Sequence, residues 1–206
     1  MRTRRRLLGP ALAVLLAAAC AGAPGPGGTP GGQAVPAPEW RVGDRWVFRR
    51  TALGGAPAVV THEVVRAMPN GYVVRLRGLA GDVTREWTRE LALVAETASD
   101  GAVGRYAPPL QEFTWPLPFG HQWSQAFTYT DARGGGRYSS QWRSGPAVEP
   151  VDVLAGRFYT IRVERWAGTQ RLETYWYNAR VRYWVRLEDY LRGYVEELAE
   201  FAPWGS

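Results

Sequence analysis

Apolar and polar positions alternate in short runs from residue 39 to the C-terminus. The runs are rich in Val, Tyr, Trp, Phe and Thr, and they are separated by turn dipeptides such as Asn70-Gly71 and Gly81-Asp82. This pattern is typical of antiparallel sheet. Only Tyr194 to Phe201 also fits one or two helical turns, and the same segment could equally be a last strand. We therefore expect one all-β domain over residues 39–206, a single antiparallel meander curled into a half-barrel or sandwich, with little helix and about ten to twelve short strands.

A hairpin is expected around Asn178-Ala179, because a turn there sorts the flanking residues into two faces. Trp176, Thr174 and Leu172 fall on an almost wholly apolar face, opposite Val181, Tyr183 and Val185. Tyr175 and Tyr177 fall on the other face, where arginines can stack on aromatic rings over a wet surface. The prediction is thus a buried face with Trp176 and a solvent face with Tyr175.

A second hairpin is expected at Asn70-Gly71, since a type I′ turn needs positive φ at both central positions. That turn pairs Val65 with Leu76 and Ala67 with Val74 on the core face, and a following turn at Gly81-Asp82 places Trp87 against Leu76. Arg85 and Arg89 then fall on the apolar side. Either the outer end of this hairpin or its register is therefore in question.

The N-terminus has the layout of an export signal. Arg2, Arg4, Arg5 and Arg6 precede an apolar run from Leu7 to Ala18, which is too short for a permanent membrane helix. The sequence Leu16-Ala17-Ala18-Ala19-Cys20 resembles the lipobox of bacterial lipoproteins, although Ala17 stands where that motif usually has Leu. The resemblance implies cleavage between Ala19 and Cys20 and fatty acylation of Cys20. The alternative is an ordinary secretory signal that is cleaved nearby.

These features divide the chain into a signal peptide at residues 1–19, a lipidated Gly/Pro-rich tether at residues 20–38 and the β domain. The membrane is then a partner through acylated Cys20. By the same resemblance, Ala21 lacks the Asp that retains lipoproteins in the inner membrane. This favours an outer-membrane location facing the periplasm, with the cell surface as the alternative.

Removal of the signal changes the charge argument. The whole chain carries +6, but four of its 25 basic residues and none of its 19 acidic residues lie in the signal, which leaves +2. Because most of the basic excess leaves with the signal, we do not expect a nucleic-acid partner.

A second resemblance lies in the β domain. The segments are Trp40-Arg41-Val42-Gly43-Asp44-Arg45-Trp46, Ala155-Gly156-Arg157-Phe158 and Trp176-Tyr177. They resemble uncharacterised all-β envelope proteins that share a Trp-x-x-Gly-x-x-Trp opening, an Ala-Gly-x-Phe turn and a Trp-Tyr strand. This resemblance implies an antiparallel sheet of unknown role and supplies no catalytic residues.

Residues capable of catalysis or metal binding are few. The histidines are His62 and His121, and Cys20 is the only cysteine, so a Cys/His zinc site cannot be assembled within the chain. The serines lie outside any Gly-x-Ser-x-Gly motif. We therefore expect no catalytic residue, no metal and no cofactor. A hydrolase would require one of the histidines beside a serine and a carboxylate.

The aromatic content is high, with ten Trp, ten Tyr and six Phe. It fits either a ring-filled core or a concave sheet face that binds a ligand or a partner. The candidate binding face consists of Trp142, Trp166, Trp176 and Tyr183. The expected function is a non-enzymatic envelope lipoprotein that binds an apolar ligand or an envelope protein through this face. The alternative is an assembly accessory of an envelope complex without a small-molecule ligand.

Overall fold

The computed structural model describes residues 34–52, 54–78 and 81–202, and within them it shows strands and no helix. The signal peptide, Ala19, Cys20 and most of the expected tether lie outside the described residues. The thirteen strands are β1 Arg45–Ala52, β2 Ala58–Met68, β3 Gly71–Arg77, β4 Val83–Thr88, β5 Leu93–Ala98, β6 Val103–Leu110, β7 Gln122–Asp131, β8 Gly134–Ser144, β9 Glu149–Val153, β10 Gly156–Ala167, β11 Gln170–Asn178, β12 Tyr183–Asp189 and β13 Tyr194–Ala202.

Twelve of these strands close into a barrel. From β1 to β8 neighbours in sequence are neighbours in the sheet, β13 pairs with β1, and β10 pairs with both β8 and β11. β9 pairs with β10 beside this ring. All pairings are antiparallel, as predicted, but the sheet is closed rather than a half-barrel or a sandwich, and it has one strand more than the expected range. Closure removes the exposed strand edges that an open sheet of this length would leave.

The core lies inside the barrel because side chains alternate between the two faces of each strand. Trp46 and Phe48 of β1, Leu76 of β3 and Trp142 of β8 point inward and are at most 1% exposed. The C-terminal segment that fitted either helix or strand is strand β13, whose Leu198 is also fully buried. The described part of the chain contains no helix with the length and apolar character needed to cross a membrane.

The hairpin between β11 and β12 differs from its prediction. Its turn spans residues 179–182, so Asn178 pairs with Tyr183 and Tyr177 with Trp184. The Asn178 side-chain oxygen accepts a hydrogen bond from the Val181 amide at 3.0 Å and so closes the longer turn. The change of register exchanges the faces. Tyr175 and Tyr177 are buried in the barrel, whereas Trp176 lies on the outer face.

The hairpin between β2 and β3 is also displaced. Its turn is Pro69-Asn70, which pairs Met68 with Gly71 and Ala67 with Tyr72. A bulge between Val64 and Arg66 shifts the pairing further, so that Val74 pairs with Val64 instead of Ala67, and Leu76 pairs with His62 instead of Val65. The predicted pairing of Trp87 with Leu76 is also wrong, because the connection between β3 and β4 is longer than a two-residue turn at Gly81-Asp82. Leu76 pairs with Val83, and Trp87 pairs with Tyr72. Bulges of this kind leave no clear mark in the sequence.

Candidate functional site

One end of the barrel is sealed by aromatic rings, which we call the base. The ring of Trp40 lies 5.4 to 5.9 Å from those of Trp46, Tyr72, Trp87 and Tyr183. The β6–β7 loop adds Phe113 and Trp115 to this layer. The space left among these rings is only about 10 Å³. The base is therefore a packed plug and offers no room for a ligand.

The described chain also begins at the base. Val35 forms an isolated antiparallel bridge with Leu117 of the β6–β7 loop, and both residues are buried. Trp40 donates its indole N–H to the Arg182 carbonyl at 2.9 Å. These contacts attach the segment that leads to the expected tether to the sealed end of the barrel.

The opposite end of the barrel is open, and we call it the mouth. It holds one cavity of about 630 Å³ and a neighbouring cavity of about 430 Å³. Tyr129 and Arg192 line both cavities and thus lie between them. Volumes of this size are typical of ligand sites. The mouth is lined mainly by Arg50, Arg85, Glu96, Ala102, Gly104, Phe127, Tyr129, Tyr138, Arg165, Glu173, Leu191 and Arg192.

Arg85 and Glu96 form the floor of the larger cavity. Arg85 Nε donates to Glu96 Oε1 at 2.7 Å, and the Tyr106 hydroxyl donates to Glu96 Oε2 at 3.2 Å. Arg192 lies 3.7 Å from Glu96 and also contacts Asp189 at 3.1 Å. Burial alone would raise the pKa of Glu96, but Arg85 and Arg192 hold that pKa below its usual value. Glu96 is therefore a fixed anion.

A second ionic layer lies beneath the smaller cavity. Arg165 donates to Glu173 at 3.0 Å and to Ser140 at 3.1 Å. Tyr175 donates its hydroxyl to Glu112 at 3.2 Å. Burial, followed by the charge of Glu173, raises the pKa of Glu112 to about 7. This carboxyl group is thus the component of the layer that titrates near neutral pH.

A third group of polar side chains joins the mouth to the base. Arg50 donates to Glu196 at 2.5 Å, His62 Nε2 lies 3.6 Å from Glu196, and His62 Nδ1 lies 3.1 Å from the Tyr183 hydroxyl. Burial opposes the charge on Glu196, yet His62 and Arg50 hold its pKa at about 2. Burial lowers the pKa of His62. The histidine contacts a tyrosine and a carboxylate but no serine among the described residues.

Aromatic rings stand on the wall of the mouth. Tyr138 stacks on Phe127 with ring centroids 5.8 Å apart, and its side chain is 51% exposed. Tyr129 lies against Gly104, where an added Cβ would come within 2.8 Å of the ring carbons. Glycine at this position therefore leaves room for the Tyr129 ring to approach the neighbouring strand closely.

The four residues of the candidate aromatic face do not share a face. Trp142 and Tyr183 point into the barrel and are at most 1% exposed, so they belong to the core. Trp166 and Trp176 lie on the outer surface, where Arg143 and Arg186 stack over them. The four rings therefore do not form the predicted single face, because two of them point into the barrel and two lie on its outer surface.

The remaining candidates lie apart from the mouth. His121 stacks on Trp123, and its backbone N–H donates to Ser144 Oγ at 3.0 Å. Within residues 34–202, apart from the undescribed positions, no group of three His, Cys, Asp or Glu side chains could hold a metal ion. Sequence reasoning missed Glu96 and Arg192 as site residues. It noted Arg85 only as an arginine on the apolar side that put the hairpin register in question.

Comparisons with known proteins reveal structural likeness only. No protein-family model matches the chain, and no curated protein matches it. Among solved structures, the hypothetical lipoprotein YmcC from Escherichia coli K12 has a TM-score of 0.47 and 8% identity, covering 78% of this chain and 85% of that one. A presumed lipoprotein from Parabacteroides distasonis has a TM-score of 0.36 and 13% identity, covering 83% and 99%.

Proposed function

We propose that this protein is a non-enzymatic, lipid-anchored envelope protein that binds a ligand in the mouth of its barrel. The observation that carries the proposal is the difference between the two ends. The base leaves about 10 Å³ among its rings, whereas the larger mouth cavity has about 630 Å³. A barrel that served only as a packed structural unit has no need of such a cavity.

The path of the chain supports an orientation for this binding protein. The described residues start at the base, through the contacts of Val35 and Trp40. A tether that runs from an acylated Cys20 therefore reaches the sealed end first. The mouth at the opposite end then faces away from the anchoring membrane, where a ligand or partner is accessible.

The floor of the mouth favours a polar ligand over the apolar ligand that the sequence suggested. Arg85 and Glu96 have side chains that are 13% and 16% exposed, and both line the larger cavity. An acyl chain placed against this pair would displace water without replacing its hydrogen bonds, which is costly. The tyrosines and the small residues of the wall supply the apolar part of the contact.

The side chains of the mouth support binding rather than catalysis. Ser140 accepts a hydrogen bond from Arg165, and an arginine cannot activate a hydroxyl as a general base. In the described chain, neither His62 nor His121 lines one of the two mouth cavities. A serine nucleophile with a histidine base is therefore not assembled at this site.

A second candidate function is that of an assembly accessory. Within the described chain, β9 is paired in the sheet with β10 alone, and Leu154, which follows it, is 53% exposed. A strand with one paired edge is a site where a partner strand can add to the sheet. This function needs the β9 edge and does not need the mouth.

Anchoring is tested by the intact mass and fractionation of the Cys20→Ala variant. We expect the wild-type protein to carry acyl mass at Cys20 and to pellet with membranes, and the variant to be soluble or to remain as the uncleaved precursor. A cleaved Cys20→Ala product that still pellets would contradict anchoring at this residue.

Ligand binding is tested by native mass spectrometry of protein purified from its own membranes. Ala102→Trp fills the mouth, and Ala179→Trp adds the same ring at an exposed turn of the base. We expect a bound compound on the wild-type protein and on Ala179→Trp, and its loss from Ala102→Trp. Equal occupancy of the two variants would exclude the larger cavity of the mouth as the binding site. A partner protein lost only on mutation of β9 would favour the assembly role.

A further inference from the structure

We propose that the mouth binds a neutral, polyhydroxylated chain, that is, a glycan. This inference rests on the proposed function and adds the chemical class of the ligand. It depends on three properties of the mouth, which are the pairing of its charges, the supply of both donors and acceptors, and the exposed ring faces on its wall.

The arginines of the mouth are each neutralised by a carboxylate. Arg50 pairs with Glu196, Arg85 with Glu96, Arg133 with Asp131, Arg165 with Glu173 and Arg192 with Asp189, at N–O distances between 2.5 and 3.2 Å. An anionic ligand would have to compete with these carboxylates for each guanidinium group. The mouth is therefore polar and carries little uncompensated charge.

Around these ion pairs, further donors and acceptors are available, and hydroxyl groups of a ligand can bind to both kinds. Arg85 engages Glu96 through Nε, and its terminal nitrogens take part in none of the described hydrogen bonds. Asp131 and Asp100 add acceptor oxygens at the rim of the larger cavity. A hydroxyl group donates one hydrogen bond and accepts two, so it can satisfy both kinds of partner at once. A ligand with many hydroxyl groups matches a lining in which donors and acceptors alternate.

Exposed ring faces complete the match. Tyr138 is 51% exposed and stacks on Phe127, and the partly exposed Tyr129 packs against Gly104. The face of an aromatic ring is electronegative and attracts polarised C–H groups. The C–H face of a sugar ring is flat and positively polarised, whereas its rim carries hydroxyl groups. The tyrosines can therefore contact sugar faces while the ion pairs contact the rims.

The shape of the mouth favours a chain over a single small molecule. The two cavities adjoin at Tyr129 and Arg192, and each is open to solvent on the outer side. A chain of linked rings can occupy both cavities and continue outward. A peptide segment is the main competing occupant of the mouth, and binding of a peptide in place of a saccharide would contradict the inference.

The experiment uses the acylated full-length protein in detergent and three probes from the envelope of the producing bacterium. The probes are the neutral oligosaccharide fraction, the anionic oligosaccharide fraction and a peptide digest of the envelope proteins, and retention is read by native mass spectrometry. Tyr138→Ala removes the exposed ring of the mouth. Tyr159→Ala is the matched control, since Tyr159 is 48% exposed on β10.

We expect retention of neutral oligosaccharides by the wild-type protein and by Tyr159→Ala, and roughly tenfold weaker retention by Tyr138→Ala, which corresponds to about 1.4 kcal/mol. Retention of peptides or anionic saccharides in place of neutral ones, sensitive to Tyr138→Ala, would overturn the assignment of a neutral glycan and leave a ligand-binding mouth. Failure of every probe to bind, with no compound bound to protein from native membranes, would overturn both proposals. A neutral saccharide retained equally by the two variants would place its site elsewhere and overturn this inference.

Discussion

Arg85 of β4 and Glu96 of β5 face each other across the strand pair inside the barrel, with Nε and Oε1 2.7 Å apart. Their strands carry mostly apolar residues on the same face, including Trp87 and Leu93. The pair thus inserts a charged layer between an aromatic base and an open mouth. It also explains why an arginine occurs at an inward position of β4.

This relationship predicts a large effect of removing one partner. Arg85→Leu removes one of the two arginines that contact the largely buried Glu96. We expect a loss of about 2 to 4 kcal/mol in the free energy of unfolding. Urea denaturation followed by tryptophan fluorescence measures the change. The control is Arg157→Leu, which breaks a pair whose side chains are 63% and 71% exposed. A loss in Arg85→Leu no larger than in the control would contradict the structural role.

The raised pKa of Glu112 predicts that the stability of the protein depends on pH. Burial and Glu173 raise its pKa from 4.5 to about 7 in the folded protein. A carboxyl group with a raised folded-state pKa contributes stability that is fully present below its unfolded pKa and is lost as the pH rises through the folded pKa. We therefore expect wild-type stability to fall between about pH 4.5 and pH 7, by an amount on the order of 3 kcal/mol.

The Glu112→Gln variant isolates this effect. Its amide cannot ionise, so its urea midpoint should change less than that of the wild-type protein over the same pH interval. Glu200→Gln alters an exposed carboxyl group of β13 and serves as the control. Parallel pH profiles of wild-type and Glu112→Gln would show that Glu112 does not titrate in this range.

Packing in the aromatic base predicts that Trp40 and Trp166 contribute unequally to the stability of the protein. Trp40 is 4% exposed and contacts four rings, so Trp40→Ala should cost about 3 to 5 kcal/mol of stability. Trp166 lies half-buried on the outer surface, and Trp166→Ala should cost about 1 kcal/mol or less. Thermal unfolding of both variants gives the comparison. Equal losses would mean that the base is not a packed plug.

The Asn178 side chain is expected to stabilise the β11–β12 turn through its two hydrogen bonds. Asn178 accepts a hydrogen bond from the Val181 amide and donates to the Tyr159 carbonyl at 2.8 Å. Asn178→Ala removes both bonds at a partly exposed site, and a loss of about 1 to 2 kcal/mol is expected. Asn178→Asp keeps the acceptor and should lose less. If Asn178→Asp is as unstable as Asn178→Ala, the bond to Val181 does not matter.

The candidate site was only partly accessible from the sequence. Arg85 stood out as an arginine on the apolar side of its strand, but this mismatch put the register in question and did not identify Arg85 as a site residue. Glu96 and Arg192 gave no such signal, because a Glu in a strand and an Arg in a turn are ordinary surface residues. They meet across the barrel from β5 and from the β12–β13 turn, which are about 95 residues apart in sequence. Such a meeting depends on closure of the sheet.

The class of the fold follows from local sequence alone. Alternating Val, Tyr, Trp and Thr between glycine-rich turns determine antiparallel strands, because the side-chain period of two is a property of each strand. The faces of those strands were decided only by the tertiary structure. Bulges in β2 and at β11–β12 and a four-residue turn at 179–182 each displace the pairing. The change of register at β11–β12 places Tyr175 inward and Trp176 outward, and only the closed barrel determines which position is buried.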